Sequence, residues 1–233
     1  MASKSNNTQT LVIGLSFLAV GLILGLMLAN KVVVDSQSTE SNETVNVEQL
    51  ETVSVSEDDD ASIGSDDAPV TIIEFSDFQC YWCGRFHADT LPSLLKNYVD
   101  AGIVRLVIRD FPAGSHPEAK LAAQSAECVR AYTMEEDPDL AYFEMHDLLF
   151  NNQTAWSGKS DAKEQLIALA KDNLDVDIKN CLDTEEMQAE VEADYVAGRS
   201  YGIGGTPTFF VNGKKLVGAW PYETFETVIK ALR

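Results

Sequence analysis

The feature that most constrains this chain is a pair of cysteines between a predicted strand and a predicted helix. Residues 70–76 read VTIIEFS, a β-branched run typical of a strand, and a helix is predicted from about Cys83 to Tyr98. Cys80 and Cys83 therefore lie at a helix N-terminus, where free N–H groups and the positive end of the helix dipole favour a thiolate. Because the thiolate is the form that attacks a disulfide, the motif predicts thiol–disulfide exchange.

Within this pair we expect Cys80 to be the outward nucleophile and Cys83, one turn into the helix, to be the buried resolving thiol. The alternative is half of a zinc site, but zinc usually requires a second close pair of ligands. The remaining cysteines, Cys128 and Cys181, are far apart in the sequence, and the three histidines are scattered. We therefore predict no metal site and no cofactor.

Two weaker signals point to the same chemistry. Gly204-Gly205-Thr206-Pro207 precedes a predicted strand, and a proline that opens a strand after two glycines can be cis, although the same residues also suit an ordinary turn. Glu74 falls within the apolar run six residues before Cys80. If it is buried its pKa is raised, and it can then exchange a proton with Cys83. The alternative for Glu74 is a solvent-facing acid on an edge strand.

The rest of the C-terminal part predicts a mixed α/β domain. A second strand is predicted over 103–109, and helices are predicted over 117–132, 139–150, 161–172 and 184–201. Two strands then flank the turn Asn212-Gly213, over 208–211 and 215–218, and a last helix covers 222–232. The order is β-α-β, a block of helices, then β-β-α.

The N-terminal part has a different composition. Leu11 to Ala29 carries no charge and as a helix would extend roughly 28 Å, so residues 11–30 predict a transmembrane anchor after a short polar tail, 1–10. A cleaved signal peptide is the alternative. Residues 31–63 are rich in Ser, Thr, Asp and Glu and predict a disordered acidic linker, which leaves 64–233 as the folded domain.

The net charge of the whole chain, −20, disfavours nucleic acid as a partner.

These features together resemble the DsbA-like branch of the thioredoxin superfamily. The resemblance is carried by EFSDFQCYWC at 74–83 and GTPTFFVNG at 205–213, and it covers about residues 64–233. It implies an α/β thioredoxin fold with a helical insertion at about 114–200. It also implies a cis Pro207 packed over the cysteines and Glu74 as a buried acid beside the resolving thiol. The same resemblance implies an oxidising, extracytoplasmic compartment, with the tail 1–10 in the cytoplasm and the domain outside a single-pass cell-membrane anchor.

One departure from the family concerns the dipeptide between the cysteines. Tyr81-Trp82 stands where strongly oxidising members carry Pro-His, so no cation is supplied there and the direction of the reaction stays open. The aromatic pair, with Thr206 and Pro207, is instead predicted to bind unfolded apolar substrate.

The expected function is dithiol oxidation in secreted or surface proteins. An isomerase or reductase of the same fold and a redox-inert, peptide-binding chaperone are the alternatives. The expected partners are reduced or misfolded secreted polypeptides and a membrane redox partner that resets the cysteines.

The other two cysteines are predicted to form a structural disulfide. Cys128 lies on the inward stripe of the helix predicted over 117–132, and Cys181 precedes the last helix of the insertion. A bond between them would tie the first helix of the block to its last, and the compartment argued above permits it. Two buried free cysteines, or a relay to Cys80, are the alternatives.

Overall fold

The computed structural model describes residues 45–233, in which a mixed five-stranded sheet organises the fold. The strands are β1 (Ser62–Ile63), β2 (Val70–Ser76), β3 (Val104–Asp110), β4 (Thr208–Val211) and β5 (Lys214–Val217). They are arranged in the order β1-β3-β2-β4-β5, with β2 parallel to β3 and the other neighbouring pairs antiparallel. This is the thioredoxin-like α/β fold that the resemblance implies.

The helices of the described part fall into three groups along the chain. They are α1 (Tyr81–Asp89), α2 (Leu91–Leu94), α3 (Ala119–Tyr132), α4 (Pro138–Asn151), α5 (Gln153–Trp156), α6 (Ala162–Leu174), α7 (Lys179–Asp183), α8 (Gln188–Ser200) and α9 (Tyr222–Leu232). Helices α3 to α8 lie between β3 and β4 in the sequence, and they are the helical insertion expected at about 114–200.

The helix predicted from Cys83 to Tyr98 contains a break. Helix α1 ends at Asp89, α2 follows, and a π-helical turn, Leu95–Val99, completes the stretch. Pro92 explains the break, because proline has no N–H to donate and its ring clashes with the carbonyl four residues earlier. Helix α1 is therefore a short helix of its own that begins directly after the first cysteine.

Strand β2 is buried on both faces. Ile72 belongs to the larger apolar cluster, with Phe86 of α1 and Phe225 of α9, while Phe75 belongs to a smaller cluster with Phe111 on the opposite face. Strands buried on both faces are apolar along most of their length rather than alternating, which explains the sequence of this segment.

The two-residue turn predicted at Asn212-Gly213 joins β4 to β5. Both residues have positive φ, 44° and 81° respectively. A tight hairpin whose twist matches that of its strands requires positive φ at both central residues, which Asn-Gly provides at little cost.

Residues 45–63, which were predicted as part of a disordered linker, belong to the folded domain. Thr52 bridges to Lys214 at one edge of the sheet, and Ser62 pairs with Val107 at the other edge. The segment therefore covers both edges, whose backbone groups would otherwise be unpaired.

The prediction was wrong because the polar composition of the segment concealed a short alternation. Thr52-Val53-Ser54-Val55-Ser56 places Val53 and Val55 on one side, and both pack against the smaller apolar cluster around Phe75. Five residues with period two are typical of an extended segment lying on an apolar surface. The folded domain thus begins near residue 45 rather than at 64.

The predicted tail 1–10, the predicted membrane helix 11–30 and the first part of the predicted linker, 31–44, lie outside the described residues. Among residues 45–233, none of the helices has the length and apolar character needed to cross a bilayer.

A disulfide joins two helices of the insertion. Cys128 of α3 and Cys181 of α7 are bonded, their Cα atoms are 6.0 Å apart, and both side chains are buried. The bond ties the first helix of the insertion to the short helix that precedes its last, close to the arrangement predicted. It leaves neither sulfur free to relay electrons to Cys80.

Replacing both Cys128 and Cys181 with alanine is expected to lower the free energy of unfolding by up to about 4 kcal/mol. The two residues are 53 apart in sequence, and the chain-entropy model assigns that much to closing so long a loop. Urea denaturation of the two proteins measures the difference. The control is wild type in which both cysteine pairs are reduced, and its urea midpoint should equal that of the variant. Equal urea midpoints for the variant and for oxidised wild type would show that the Cys128–Cys181 bond does not stabilise the fold.

Candidate active site

Cys80 and Cys83 lie where β2 passes into α1. Cys80 is the N-cap of α1, and its N–H donates to the carbonyl oxygen of Asp77 over 3.0 Å, which closes the turn after β2. The first N–H groups of a helix have no acceptor within the helix, so those of α1 are available to the Cys80 sulfur. Cys83 is completely buried and Cys80 is 7 % exposed, which agrees with an outward and an inward thiol. The two sulfurs are not bonded to each other.

The turn before Cys80 is held by two side chains to which the sequence analysis gave no role. Asp77 is buried, and its two carboxylate oxygens accept the N–H groups of Gln79 over 2.8 Å and of Ala113 over 2.7 Å. Gln79 in turn accepts the Glu118 N–H over 2.7 Å and donates to the Glu118 carboxylate over 2.6 Å. These bonds tie the turn to the loop before α3 and so fix the position of Cys80.

Pro207 lies beside the cysteine pair, and the Thr206–Pro207 peptide bond is cis, as the resemblance implied. The register explains the location: Thr208 of β4 pairs with Phe75 of β2, so the residues before β4 lie next to the end of β2. The carbonyl oxygen of Thr206 is 3.3 Å from the Cys80 sulfur, a contact in which the thiol donates.

The pKa of Cys80 is lowered to about 6. The main cause is a hydrogen bond from the Cys83 thiol. Hydrogen bonds from the Thr206 side chain and from the N–H groups of Cys83 and Trp82 lower the pKa further, whereas burial raises it. Neutral donors thus stabilise the Cys80 thiolate although no histidine lies between the cysteines.

Cys83 shifts in the opposite direction. Burial raises the pKa of its thiol well above 9, and the negative charges of Cys80 and Glu74 raise it further. The pair therefore combines a thiol that ionises below neutral pH with one that holds its proton.

Glu74 is buried on a central strand, so the alternative of a solvent-facing acid on an edge strand is wrong. Its side chain is 1 % exposed, and β2 lies between β3 and β4. The Ser76 hydroxyl donates to Glu74 Oε1 over 2.8 Å, whereas Oε2 has no hydrogen-bond partner among the described residues. Burial raises the pKa of Glu74 to about 8; the hydrogen bond from Ser76 lowers this pKa, and the charge of Cys80 raises it. The carboxyl is therefore mostly protonated at neutral pH.

Comparison with known proteins agrees with this geometry. A family model described as thioredoxin matches residues 56–231. Disulfide bond formation protein D of Bacillus subtilis is 31% identical over 171 residues, which are 72% of this chain and 74% of that protein. The crystal structure of oxidised BdbD from Bacillus subtilis superposes with a TM-score of 0.69 at 29% identity, covering 78% of this chain and 97% of that one.

The chain belongs to the DsbA-like family of the thioredoxin superfamily. It is a protein disulfide oxidoreductase. The same sequence region also occurs within a larger protein: Na(+)/H(+) antiporter NhaA 3 of Salinispora tropica is 30% identical over 167 residues, which are 70% of this chain and only 23% of the antiporter.

The exposed residues of this DsbA-like protein's cysteine motif are aromatic. Tyr81 and Trp82 are 62 % and 59 % exposed, and their rings meet edge to face with centroids 5.1 Å apart. A groove of about 410 Å³ begins at Trp82 and runs between α1 and the start of α9, with Phe86 and Tyr222 among its walls. Arg85 and Asp89 form an ion pair along the same groove, so its lining is both apolar and charged.

Two groups of side chains in the described residues have the composition of a cation site. In the first, Asp60, Glu190 and Asp194 come together. Arg109 is buried among them, with its Nε 2.8 Å from both Asp60 and Asp194, so the protein supplies its own cation to this group. Burial and the nearby Asp194 carboxylate raise the pKa of Asp60, whereas the Arg109 guanidinium lowers it.

The second group is His87, His146 and Asp147. The three histidines are scattered in the sequence, but in the fold the rings of His87 and His146 lie 5.4 Å apart. Their separation in sequence concealed this proximity. The third histidine, His116, is elsewhere, with its Nδ1 2.7 Å from Asp77.

Substitution of Glu74 by glutamine should change how stability depends on pH. The carboxyl has a pKa near 4.5 when unfolded and about 8 when folded, so between these values the folded chain holds a proton that the unfolded chain has released. Stability of the wild type must then fall as pH rises, by up to about 1.4 kcal/mol per pH unit from this group, and glutamine removes that contribution.

Urea denaturation of the reduced proteins between about pH 5 and pH 8 tests this. Matching far-ultraviolet circular dichroism at the lowest pH is the control for an unchanged fold. A constant difference in stability between the two proteins across the range would mean that Glu74 is already ionised in the folded state.

Proposed function

We propose that this protein introduces disulfides into secreted or surface polypeptides by transferring a Cys80–Cys83 disulfide to a substrate dithiol. The observation that carries the proposal is the opposite shift of the two pKa values, to about 6 for Cys80 and well above 9 for Cys83. A stabilised Cys80 thiolate favours the reduced pair, and a pair that is stable when reduced is an oxidant when its disulfide is formed.

The first step is attack by a substrate thiolate on the Cys80 sulfur of the disulfide. A bond forms between the substrate sulfur and Cys80, the Cys80–Cys83 bond breaks, and its electron pair goes to Cys83. Since Cys83 is buried and holds a proton strongly, it leaves most readily as a thiol. The protonated carboxyl of Glu74 supplies that proton, since its Oε2 has no hydrogen-bond partner in the described part of the chain.

The second step releases the product. The second thiolate of the substrate attacks the substrate sulfur that is bonded to Cys80, and Cys80 departs as a thiolate. Its pKa of about 6 makes it a good leaving group at neutral pH. Two electrons have then passed from the substrate to the cysteine pair, and a membrane redox partner that accepts two electrons restores the disulfide.

Substrate binding is proposed for the surface around Cys80. Thr206 and Pro207 border the cysteine, and an extended peptide lying against Thr206 would bring its own cysteine to the Cys80 sulfur. Tyr81 and Trp82 offer exposed aromatic surface on the other side, which suits unfolded apolar polypeptides.

The compartment proposed is extracytoplasmic, with residues 11–30 as a single-pass anchor in the cell membrane. The Cys128–Cys181 bond supports it, because structural disulfides persist mainly in oxidising compartments. The uncharged segment from Leu11 to Ala29 supports the anchor.

Substitution of Cys83 by alanine should trap covalent complexes with substrates. Cys80 can still attack a substrate disulfide, but no resolving thiol is present to release the product. Non-reducing gels and mass spectrometry of the purified variant should show mixed disulfides at Cys80 that disappear on reduction. Cys80→Ala is the matched control, and trapping by that variant instead would reverse the two roles.

Substitution of Thr206 by valine, which has the same shape, should make the protein a weaker oxidant. It removes a side-chain hydrogen bond that lowers the pKa of Cys80. A hydrogen bond to a charged group contributes about 1.5 kcal/mol or more, so the equilibrium constant with glutathione should shift by roughly tenfold towards the oxidised pair.

The measurement is the redox equilibrium of both proteins with glutathione, together with the ultraviolet absorbance of the thiolate as a function of pH. Oxidation of a reduced, unfolded substrate by one equivalent of oxidised wild type is the control for direction. A wild type that reduces substrate disulfides but does not form them would identify the protein as a reductase.

A further inference from the structure

Three side chains that the disulfide chemistry does not use meet between α1 and α4. His87 Nε2 lies 2.8 Å from Asp147 Oδ1, and His146 Nδ1 lies 3.7 Å from the same oxygen. One ligand atom from each residue falls within 4.8 Å of the others. Two imidazole nitrogens and a carboxylate oxygen therefore lie close enough together to share one ion.

His146 has polar atoms that the protein leaves unsatisfied. Its side chain is 1 % exposed, and neither ring nitrogen has a hydrogen-bond partner among residues 45–233. The rings around it belong to Phe78, Phe143 and Phe150, which offer no hydrogen-bond acceptor. A buried imidazole without partners is costly, because it has one N–H to donate and one lone pair to share.

The site is accessible from solvent on one side only. Asp147 has a side chain that is 59 % exposed, His87 is nearly buried, and His146 forms the floor. An ion can therefore enter past Asp147 and retain a water molecule in its remaining position.

We propose that His87, His146 and Asp147 bind a zinc ion. Imidazole nitrogen and carboxylate oxygen are ligands that Zn²⁺ takes at about 2.0–2.2 Å, with water completing a four-coordinate site. Calcium and magnesium prefer oxygen ligands alone, which this group does not offer.

The bound ion would tie the helix that carries the cysteines to the helical insertion. His87 lies on α1, one turn after Cys83, whereas His146 and Asp147 lie on α4. Phe78, two residues before Cys80, packs edge to face on the His146 ring. Zinc is therefore expected to raise the melting temperature of the protein.

The test uses the full chain, purified in detergent, with Cys80 and Cys83 replaced by serine so that their thiols cannot bind zinc. Competition between this protein and a chromogenic chelator measures zinc affinity and stoichiometry. We expect one zinc ion per chain. Adding His87→Ala or Asp147→Asn should weaken binding by at least about tenfold, since the loss of even an outer-shell partner costs a metal site that much.

Two controls separate this site from the other candidates. His116→Ala removes the third histidine and should leave zinc binding unchanged, and Glu190→Gln, in the acidic group around Arg109, should do the same. Zinc affinity that survives His87→Ala and Asp147→Asn but falls in the Glu190 variant would overturn the proposal. So would the absence of stoichiometric binding.

Cobalt gives a second readout that does not depend on affinity. Bound to the oxidised wild-type chain, Co²⁺ should show visible d–d bands without a thiolate-to-cobalt charge-transfer band, and His87→Ala should abolish them. A charge-transfer band would place the ion on cysteine and overturn the proposal. Since His146 is buried and its replacement could unfold the protein, the variants use the more accessible ligands, with circular dichroism as the check of folding.

Discussion

The pairing of β2 with β4 brings Glu74 and the residues before β4 to the cysteine pair. Glu74 pairs with Phe209 and Phe75 with Thr208, so the carboxyl enters the core below the cysteines while the cis proline lies beside them. Side chains alternate between the two faces of a strand, so a shift of one residue would turn Glu74 to the opposite face. The same shift would move Thr206 away from the Cys80 sulfur.

The chemistry of the cysteine pair arises from burial and from neutral donors. The Cys83 thiol donates to Cys80 and stabilises its thiolate, and the burial that keeps Cys83 protonated also prevents the two from ionising together. The pair therefore titrates as a unit. Glu74 is buried beside the pair as a neutral carboxyl at neutral pH, which costs much less free energy than burying a carboxylate. A cationic residue between the cysteines is thus not required for a low pKa at Cys80.

Local sequence patterns predicted the elements and the residues whose neighbours lie close along the chain. The strand before Cys80 and the Asn212-Gly213 hairpin carry their signals within a few residues and occur as predicted, whereas the helix after Cys80 occurs but is broken at Pro92. For Glu74 the local pattern left burial and exposure both open, because the sequence does not show whether its strand lies at the centre or the edge of the sheet.

Residues whose partners are distant in sequence could not be predicted in the same way. Asp77 and Gln79 stand within the cysteine motif, but their partners are 36 and 39 residues away, in the loop before α3. His87 and His146 meet only because α1 packs against α4. No spacing along the chain signals such contacts, which depend on how the insertion lies against the sheet.

Residues 45–63 cover the sheet edges and also supply acidic partners for a buried arginine. Arg109 points from β3 into the smaller apolar face, and two of its carboxylate partners, Asp58 and Asp60, come from this segment, with Asp194 of α8 as the third. A buried guanidinium without partners is strongly destabilising, so the segment cannot act as a free tether. If residues 11–30 anchor the chain as proposed, only 31–44 separate the membrane from the domain, and they extend at most about 50 Å.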